Sequence, residues 1–369
     1  MQSPSVAWNN GRLLALLRIR YPIVQGPFGG GLSSVALSAS VSNAGGLGSY
    51  GAHTLDPDRI TALVAELKAS TAHPFAVNLW VPQPGEADRR LDEAAFARHV
   101  GRLQPYYDTL GVTAPTYTTS FGHDFAAQVE TLLRAEPPVA SFVMGVPPAE
   151  VLREARRRGI VTVGTATTVD EAVALDEAGV DAIVASGSDA GGHRGAFLRP
   201  VHESLVGTFS LIPQVSDAVS APVIAAGGIA DARGVCAALT LGADGVQIGT
   251  AFLGTDESGA STVHKRALRG SEARTTVLTR VFTGRMARGI PNRFQREMAA
   301  YEDDVPPYPI QGALTQPLRN AANERGEHDY VHLWAGQAAP LTAPGAAAEY
   351  FATLVVETEA ALGLRVAAP

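Results

Sequence analysis

The feature that most constrains the fold is a series of eight short apolar segments that alternate with helical patterns. The segments are YPIVQGP (21–27), LGSYGA (47–52), FAVNLWV (75–81), VASFVMG (139–145), GIVTVGT (159–165), AIVASG (182–187), PVIAAGG (222–228) and GVQIGT (245–250). Short segments that are apolar on both faces are typical of parallel strands covered on both sides. Eight strand–helix repeats predict an α/β fold, a closed (β/α)8 TIM barrel. The alternative is an open doubly wound sheet, which would have to be unusually wide.

Two stretches interrupt this alternation, and both follow predicted strands. Residues 82–123 form an insertion after the third strand. Residues 253–369 form a C-terminal extension with a loop rich in proline and tyrosine (VPPYPIQG, 305–312) and a helical pattern near 344–362. Loops that follow barrel strands lie at the catalytic face, so both stretches are expected to cover the site. Together with a barrel of about 250 residues, they predict one domain spanning 1–369.

Composition and charge narrow the class of protein. Hydrophobic residues make up 46% of the chain and charged residues 18%, which is typical of a globular protein with a sizeable core. The net charge of −7 disfavours a nucleic-acid partner, because such proteins usually carry a basic face. The apolar run from Leu13 to Leu17 is too short to cross a membrane and predicts a small helix under the barrel. With one cysteine, Cys236, no intrachain disulfide can form, which suits the reducing cytoplasm. The oligomeric state stays open, with a homodimer among the options.

Glycines stand at the ends of the seventh and eighth predicted strands. The seventh ends AAGGIAD (225–231) and leads straight into a helix, and the eighth ends QIGT, Gln247 to Thr250. Glycine lets backbone N–H groups approach a phosphate closely, and barrels commonly bind phosphate after strands seven and eight. The pattern therefore predicts a phosphate site, with simple tight turns as the alternative.

The most unusual segment is SGSDAGGHRG (186–195), which follows the sixth strand. Its small residues leave room for a flat ligand. His193 lies in this glycine-rich loop and is a candidate general base, because the pKa of histidine lies near neutrality. Arg194 is interpreted as a residue that attracts an anion or pairs with Asp189, or alternatively as a solvated loop cation.

Two amide side chains are candidates for contacts to the edge of a heterocycle. Gln25 ends the first strand and Asn78 lies in the third, and an amide offers both a donor and an acceptor. Asn78 is equally suited to capping a loop. His193 and His202 do not have metal-ligand spacing, and the sequence contains no HExxH, so no metal site is expected. No Walker motif is present, and no GxGxxG follows the first strand.

Taken together, these segments resemble the nitronate monooxygenase family, formerly called 2-nitropropane dioxygenases, in the class that keeps a catalytic histidine. The resemblance rests on YPIVQGPFGG, VNLWV, SDAGGHRG, PVIAAGGIAD, GADGVQIGT and FTGRMARGIPNRF, and continues in YPIQGALTQPLR and LWAGQ. It implies FMN at the top of the barrel and His193 as the catalytic base. The positions implied to contact the cofactor are Gln25, Gly26, Pro27, Asn78, Ser186, Gly191, Gly228, Gln247, Ile248, Gly249 and Thr250. The sequence departs from the family pattern at Phe28, Ser186 and Met286, where many members have Met, Gln and Pro.

The resemblance also implies an activity. That activity is the FMN-dependent oxidation of small alkyl nitronates, and of nitroalkanes if they are accepted, by O2 to a carbonyl compound and nitrite. The alternatives are a flavin-dependent enoyl-thioester reductase that uses NADH or NADPH, a biosynthetic flavoenzyme acting on a nitro, oxime or hydroxylamine intermediate, and a non-catalytic flavin-binding protein. Tyr308, in the proline-rich loop, is a candidate lid residue or simply a surface tyrosine.

Overall fold

The fold is known from a computed structural model, which describes Trp8 and residues 11–86 and 89–363. The strands are β1 Ile23–Gln25, β2 Gly48–Gly51, β3 Phe75–Trp80, β4 Val139–Val143, β5 Val161–Ala166, β6 Ala182–Ser186, β7 Gly192–His193, β8 Val223–Ala226, β9 Gly245–Ile248, β10 Val277–Thr279 and β11 Ala287–Gly289. The α-helices are α1 Arg12–Leu17, α2 Val35–Asn43, α3 Pro57–Ser70, α4 Glu93–Thr109, α5 Phe125–Ala135, α6 Ala149–Arg157, α7 Val169–Ala178, α8 Thr208–Ala218, α9 Ala232–Thr240, α10 Thr250–Leu253, α11 Thr262–Arg269, α12 Arg293–Met298, α13 Ile310–Arg325 and α14 Ala347–Ala361. The ends of the predicted domain (1–7, 9–10 and 364–369) and two residues of the predicted insertion (87–88) lie outside the described residues.

Eight parallel strands close into a barrel. Their order is β1-β9-β8-β6-β5-β4-β3-β2, and every strand overlaps one predicted segment. The first and last strands in this order meet where Val24 bridges Leu47. The N–H of Gln25 donates to the Leu47 carbonyl at 2.9 Å, and the Leu47 N–H donates to the Ile23 carbonyl at 2.9 Å. The prediction of a (β/α)8 barrel is therefore confirmed, and the open sheet is excluded.

The N-terminal helix α1 closes the bottom of the barrel, as predicted. Its apolar side chains Leu13, Leu14 and Leu17 are buried against inward-facing residues of the strands, including Val24. The fit is tight, because a Cβ on Gly245 would lie 2.6 Å from a Leu13 methyl carbon. The end of the barrel opposite the carboxyl ends of the strands is therefore a packed core.

Side-chain caps fix where several of the outer helices begin. Helices α2, α3, α5, α7 and α9 each start after a residue whose side-chain oxygen accepts a backbone N–H of the first turn. The capping residues are Ser34, Asp56, Asp124, Thr168 and Asp231. Four of these caps come shortly after a barrel strand, whereas Asp124 comes after the insertion. Each cap pairs a backbone N–H that the first turn of the helix would otherwise leave without a partner.

A small antiparallel sheet of order β10-β11-β7 adds to the barrel and was not predicted. In its register His193 faces Ala287, and Gly192 faces Arg288. The interpretation of His193 as a loop residue was therefore wrong. The histidine lies on a short strand that the C-terminal extension holds in place, and a two-residue strand leaves no periodic pattern in a sequence.

The insertion and the C-terminal extension pack against each other. Phe96 and Leu103 of α4 share one apolar cluster with Leu314 and Leu318 of α13, and the Tyr107 hydroxyl donates to the Leu314 carbonyl at 2.7 Å. Within the described residues, no helix is both long and apolar enough to cross a membrane.

Candidate active site

His193 lies at the carboxyl ends of the barrel strands, inside a ring of aromatic side chains. Its ring centroid is 4.9 Å from that of Trp80, 5.3 Å from that of Trp334 and 6.4 Å from that of Tyr308, with interplanar angles of 61° to 68°. Its Nε2 lies 2.9 Å from the Thr283 hydroxyl. The imidazole is thus hydrogen-bonded through one nitrogen and packed among three aromatic rings, while the residue as a whole stays only partly buried.

The surroundings of His193 keep its imidazole neutral. Burial lowers the pKa of His193 well below 6.5, and the positive charge of Arg285 lowers the pKa further. A neutral imidazole has a free lone pair at neutral pH, so it can take a proton from a bound molecule.

Arg285 and Glu86 form an ion pair beside this imidazole. The Nη2 of Arg285 lies 2.6 Å from the Glu86 carboxylate, and the two side chains are only 9% and 10% exposed. The guanidinium carbon of Arg285 also lies 4.6 Å from the centre of the Tyr308 ring and 5.5 Å from that of Trp80. This ion pair joins the insertion to the C-terminal extension. It also fixes a positive charge next to His193. Sequence reasoning missed both residues, because they lie 199 positions apart.

Tyr308 belongs to the pocket and is not a surface tyrosine. Burial raises the pKa of Tyr308 to about 12, so it remains a phenol at any physiological pH. The backbone carbonyl of Tyr308 accepts a hydrogen bond from Arg89 at 3.1 Å. The proline-rich loop is therefore fastened to the insertion beside the site.

A second histidine, His53, was also missed. Its ring stacks on Trp80 at 3.7 Å between centroids with an interplanar angle of 8°. Burial and the charge of Arg285 lower the pKa of His53 to about 3, so it too is neutral. Its Nδ1 is buried with no hydrogen-bond partner among the described residues. A Cβ on Gly29 would lie 2.0 Å from this ring, so the glycines after β1 make room for it.

The two candidate amides lie in the barrel wall. Gln25 is fully buried, its Oε1 accepts the Ser49 N–H at 2.9 Å, and its Nε2 donates to the Gly26 carbonyl. Asn78 is also buried, and its Nδ2 donates to the Ser141 hydroxyl at 3.0 Å across neighbouring strands. Asn78 therefore does not cap a loop, and within the described part of the chain no donor occupies its Oδ1.

Two glycines implied to contact the cofactor, Gly191 and Gly228, and Thr250 of the predicted phosphate site lie near one segment of the C-terminal extension. The Thr250 hydroxyl accepts the Gly336 N–H at 2.9 Å. A Cβ on Gly191 would lie 2.3 Å from that same Gly336 nitrogen. Gly228 has a φ of +71° and lies exposed beside this cluster. The N–H groups of Gly191 and Gly228 donate to no other residue that the structure describes.

The other positions named from the sequence lie at the carboxyl ends of the barrel strands. Pro27, Ser186 and Gln247 are partly exposed at this end of the barrel. Ile248 is completely buried in the core, so only its backbone borders the site. A Cβ on Gly249 would be in ordinary contact with Phe28, at 3.6 Å.

The predictions for Arg194 were wrong. Its side chain is 2% exposed, and its guanidinium donates to the carbonyls of Gly187 at 2.6 Å and Ser186 at 2.8 Å. Asp189 accepts the Thr208 N–H at 2.8 Å and forms no direct pair with Arg194. Arg194 therefore stabilises the loop between β6 and β7 through these two hydrogen bonds.

The fold and the site define a class of protein. A closed barrel with a neutral imidazole among aromatic rings, and with backbone N–H groups after β6 and β8 that have no partner among the described residues, is suited to hold a planar, phosphate-bearing ligand. Within the described residues no group of three or more His, Cys, Asp or Glu side chains is placed to hold a metal ion.

Comparison with known proteins identifies the family. A family model for nitronate monooxygenases matches residues 10–357. A probable nitronate monooxygenase of Staphylococcus aureus strain Newman is 42% identical over 331 residues, which cover 89% of this chain and 92% of that relative. The chain belongs to the nitronate monooxygenase family and is a flavin-dependent oxidoreductase.

Solved structures agree with this assignment. The nitroalkane oxidase from Streptomyces ansochromogenes superimposes with a TM-score of 0.86 at 39% identity, covering 95% of this chain and 98% of that one. FabK from Thermotoga maritima superimposes with a TM-score of 0.74 at 28% identity, covering 96% and 97%. The family found here is the one that the sequence resembles.

Proposed function

We propose that this enzyme binds FMN and oxidises small alkyl nitronates with O2 to a carbonyl compound and nitrite. The observation that carries the proposal is the neutral imidazole of His193 beside the fixed guanidinium of Arg285. A nitronate is a small planar anion and its parent nitroalkane is a weak carbon acid. A cation that attracts the anion, next to a base that can generate it, suits this pair of molecules.

The residues present fit FMN. The N–H groups of Gly191 and Gly228 and the hydroxyl of Thr250 would hold the phosphate. Gly191 and Thr250 both lie against Gly336, and Gly228 lies against Asp189 of the loop that contains Gly191. When bound, FMN would supply the redox chemistry, because a flavin can take electrons from a substrate and pass them to O2. Gly26, Pro27, Asn78 and Ser186, which lie in or just after β1, β3 and β6, would hold the isoalloxazine. Gln247, Ile248 and Gly249 would contact the phosphate-bearing tail.

The hydrogen bonds around Thr283 assign the basic nitrogen of His193. The Thr283 hydroxyl has one hydrogen, and the Arg285 carbonyl at 3.2 Å is placed to accept it. With that hydrogen engaged, the Thr283 oxygen would accept from the Nε2–H of His193 at 2.9 Å. Because Nε2 carries the proton, Nδ1 carries the free lone pair. We assign Nδ1 as the atom that takes the α-proton of a nitroalkane.

Arg285 would orient the substrate. Its Nη2 is bonded to Glu86, and no acceptor within the described residues engages Nε or Nη1. Those nitrogens would donate to the nitro oxygens, while Trp80 and Tyr308 exclude water from the carbon under attack. A nitronate arrives already deprotonated, so it needs the cation but not the base.

The test uses purified holoenzyme with its FMN content confirmed by absorbance. Anaerobic mixing with propionate 3-nitronate should bleach the flavin band, and admitting O2 should restore the band and release nitrite. A parallel mixture with NADH or NADPH should bleach it far more slowly. Fast bleaching by NADH with none by nitronate would instead support the enoyl-thioester reductase, and no bleaching by any donor would support a non-catalytic flavin-binding protein.

A further inference from the structure

One buried arginine in the C-terminal extension has no acidic residue to balance its charge. Within the described residues, four arginine side chains are 9% exposed or less, namely Arg194, Arg285, Arg288 and Arg319. Arg285 forms an ion pair with Glu86. Arg194 and Arg288 both have the negative charge of Asp189 nearby. Arg319 has neither a salt bridge nor a nearby carboxylate among those residues, and burial alone lowers its pKa to about 10. It stays charged at neutral pH.

The position of Arg319 on α13 directs it toward the candidate active site. Residues 311, 315, 319 and 323 follow at intervals of four and share one helix face. Gln311 donates to the Val281 carbonyl at 2.6 Å, and Thr315 donates to the Phe282 carbonyl at 2.6 Å. This face therefore packs along the segment that leads to Thr283, the partner of His193.

Three polar atoms in this region are buried without a hydrogen-bond partner among the described residues. They are Arg319 Nε, Asn323 Oδ1 and His332 Nδ1. Arg319 and Asn323 are one helical turn apart. The His332 ring lies 6.3 Å from Phe282 and 5.3 Å from Trp334, and Trp334 in turn lies 5.3 Å from His193. Native proteins rarely leave buried polar atoms unpaired, so an unpaired Nε on this unbalanced cation, with two more unpaired atoms nearby, favours a polar ligand here.

We propose that Arg319, Asn323 and His332 bind a small monovalent anion behind Trp334, and that nitrite fills this site. The choice of nitrite rests on the proposed function, because nitrite is the anion that the reaction would release. We call these three residues the Arg319 site.

The chemistry of the Arg319 site suits an anion better than water. Arg319 Nε is buried without a partner among the described residues, so it is free to donate to an anion, while Nη2 donates to the Gly312 carbonyl and the Gln316 side chain at 2.9 Å each. His332 Nδ1 donates in one tautomer, and the Asn323 amide donates when its terminal group is rotated. Water could satisfy these hydrogen bonds, but it could not balance a buried positive charge.

The experiment titrates sodium nitrite into holoenzyme at constant ionic strength, without nitronate. The readouts are tryptophan fluorescence, the flavin absorbance band and the midpoint of thermal unfolding. We expect a saturable change in fluorescence and a higher midpoint with the flavin band unchanged. Arg319→Gln should weaken nitrite binding by about tenfold or more, as for loss of a charge-assisted hydrogen bond. His332→Gln should weaken nitrite binding as well. This second variant tests the site if Arg319→Gln does not fold.

The matched control is Arg293→Gln on α12, which removes an exposed arginine paired with Glu297 at 2.7 Å and should leave nitrite binding unchanged. Equal binding by wild type, Arg319→Gln and His332→Gln would overturn the proposal. So would a response confined to the flavin band, which would place nitrite at the cofactor instead. Because no turnover is involved, the result does not depend on whether nitronates are substrates.

Discussion

For the proposed proton transfer, burial and a neighbouring cation keep the imidazole of His193 neutral, and no carboxylate pairs with it among the described residues. A carboxylate would favour the protonated ring, whereas desolvation and Arg285 favour the neutral one. In the proposed tautomer, the Thr283 hydroxyl accepts from the Nε2–H of His193 and adds no charge. The reactivity of this residue thus depends on which groups surround it, and only the identity of the histidine itself can be read from the sequence.

Replacing His193 should separate the two substrate forms. In His193→Asn, kcat/KM for a neutral nitroalkane should fall by roughly 10²–10⁴, the usual contribution of a general base. The value for the preformed nitronate should change by less than about tenfold, because no proton has to be removed. Both values come from initial-rate oxygen consumption with freshly prepared solutions of each form. Equal losses for the two forms would contradict a role as base.

Removing either of the two charges next to His193 should shift the pH dependence of kcat/KM, and the two shifts should have opposite directions. In the wild type, the acid limb of kcat/KM for nitroalkanes should lie well below 6.5, since protonation of His193 abolishes the base. Arg285→Met removes a positive neighbour, so the pKa of His193 should rise and the limb should shift upward. Glu86→Gln leaves Arg285 unbalanced, so the limb should shift downward.

These shifts are measured as the midpoints of kcat/KM against pH. A common midpoint for wild type, Arg285→Met and Glu86→Gln would show that neither charge acts on the base. His53 and Arg319 also lower the pKa of His193 and are unchanged in both variants, so they provide a constant background.

At the scale of elements, the proposed phosphate site is built from four separate pieces of chain. They are the loop between β6 and β7, the turn after β8, residues 335–336 of the C-terminal extension, and Thr250 at the start of α10. Gly191 is the point where the first and third of these meet, since a Cβ there would lie 2.3 Å from the Gly336 nitrogen.

Gly191→Ala should therefore push the extension away from the phosphate. We expect FMN affinity to fall by about tenfold or more, because a backbone donor near the phosphate is displaced. The control is Gly101→Ala in α4, where nothing lies within 4 Å of the added Cβ and alanine suits a helix better by about 0.5–1 kcal/mol. The FMN affinity of both variants is measured from the FMN content after gel filtration and by titrating the apoprotein with FMN. Full FMN binding by Gly191→Ala would exclude this arrangement.

How far the elements could be predicted depends on the range of the interactions that form them. The barrel strands and their helices could be predicted because apolar periodicity and caps such as Asp56 and Asp231 are local. The sheet of β7, β10 and β11 could not, since its strands have two or three residues and pair across the chain. The Arg285–Glu86 pair and the position of His53 likewise depend on tertiary contacts that one sequence does not reveal.

In the whole molecule, the two ends of the barrel have different tasks. The bottom is a packed apolar cluster completed by α1, and the top carries the polar and aromatic side chains of the site. The site is walled by stretches far apart in sequence: the end of β3, the insertion, β7 and the C-terminal extension. Chemistry at the top can therefore change while the bottom preserves the fold.

This division predicts that damage at the bottom costs stability and spares chemistry. Leu13→Ala removes a fully buried side chain from the cluster, which should lower the free energy of unfolding by about 2–5 kcal/mol. The control Leu341→Ala, at a position 48% exposed, should stay within about 0.5 kcal/mol. Urea unfolding of the holoenzyme gives both values, and kcat of the folded Leu13→Ala enzyme with nitronate should equal that of the wild type. A loss of kcat with unchanged stability would mean that the bottom of the barrel is coupled to the site and that the two ends are not independent.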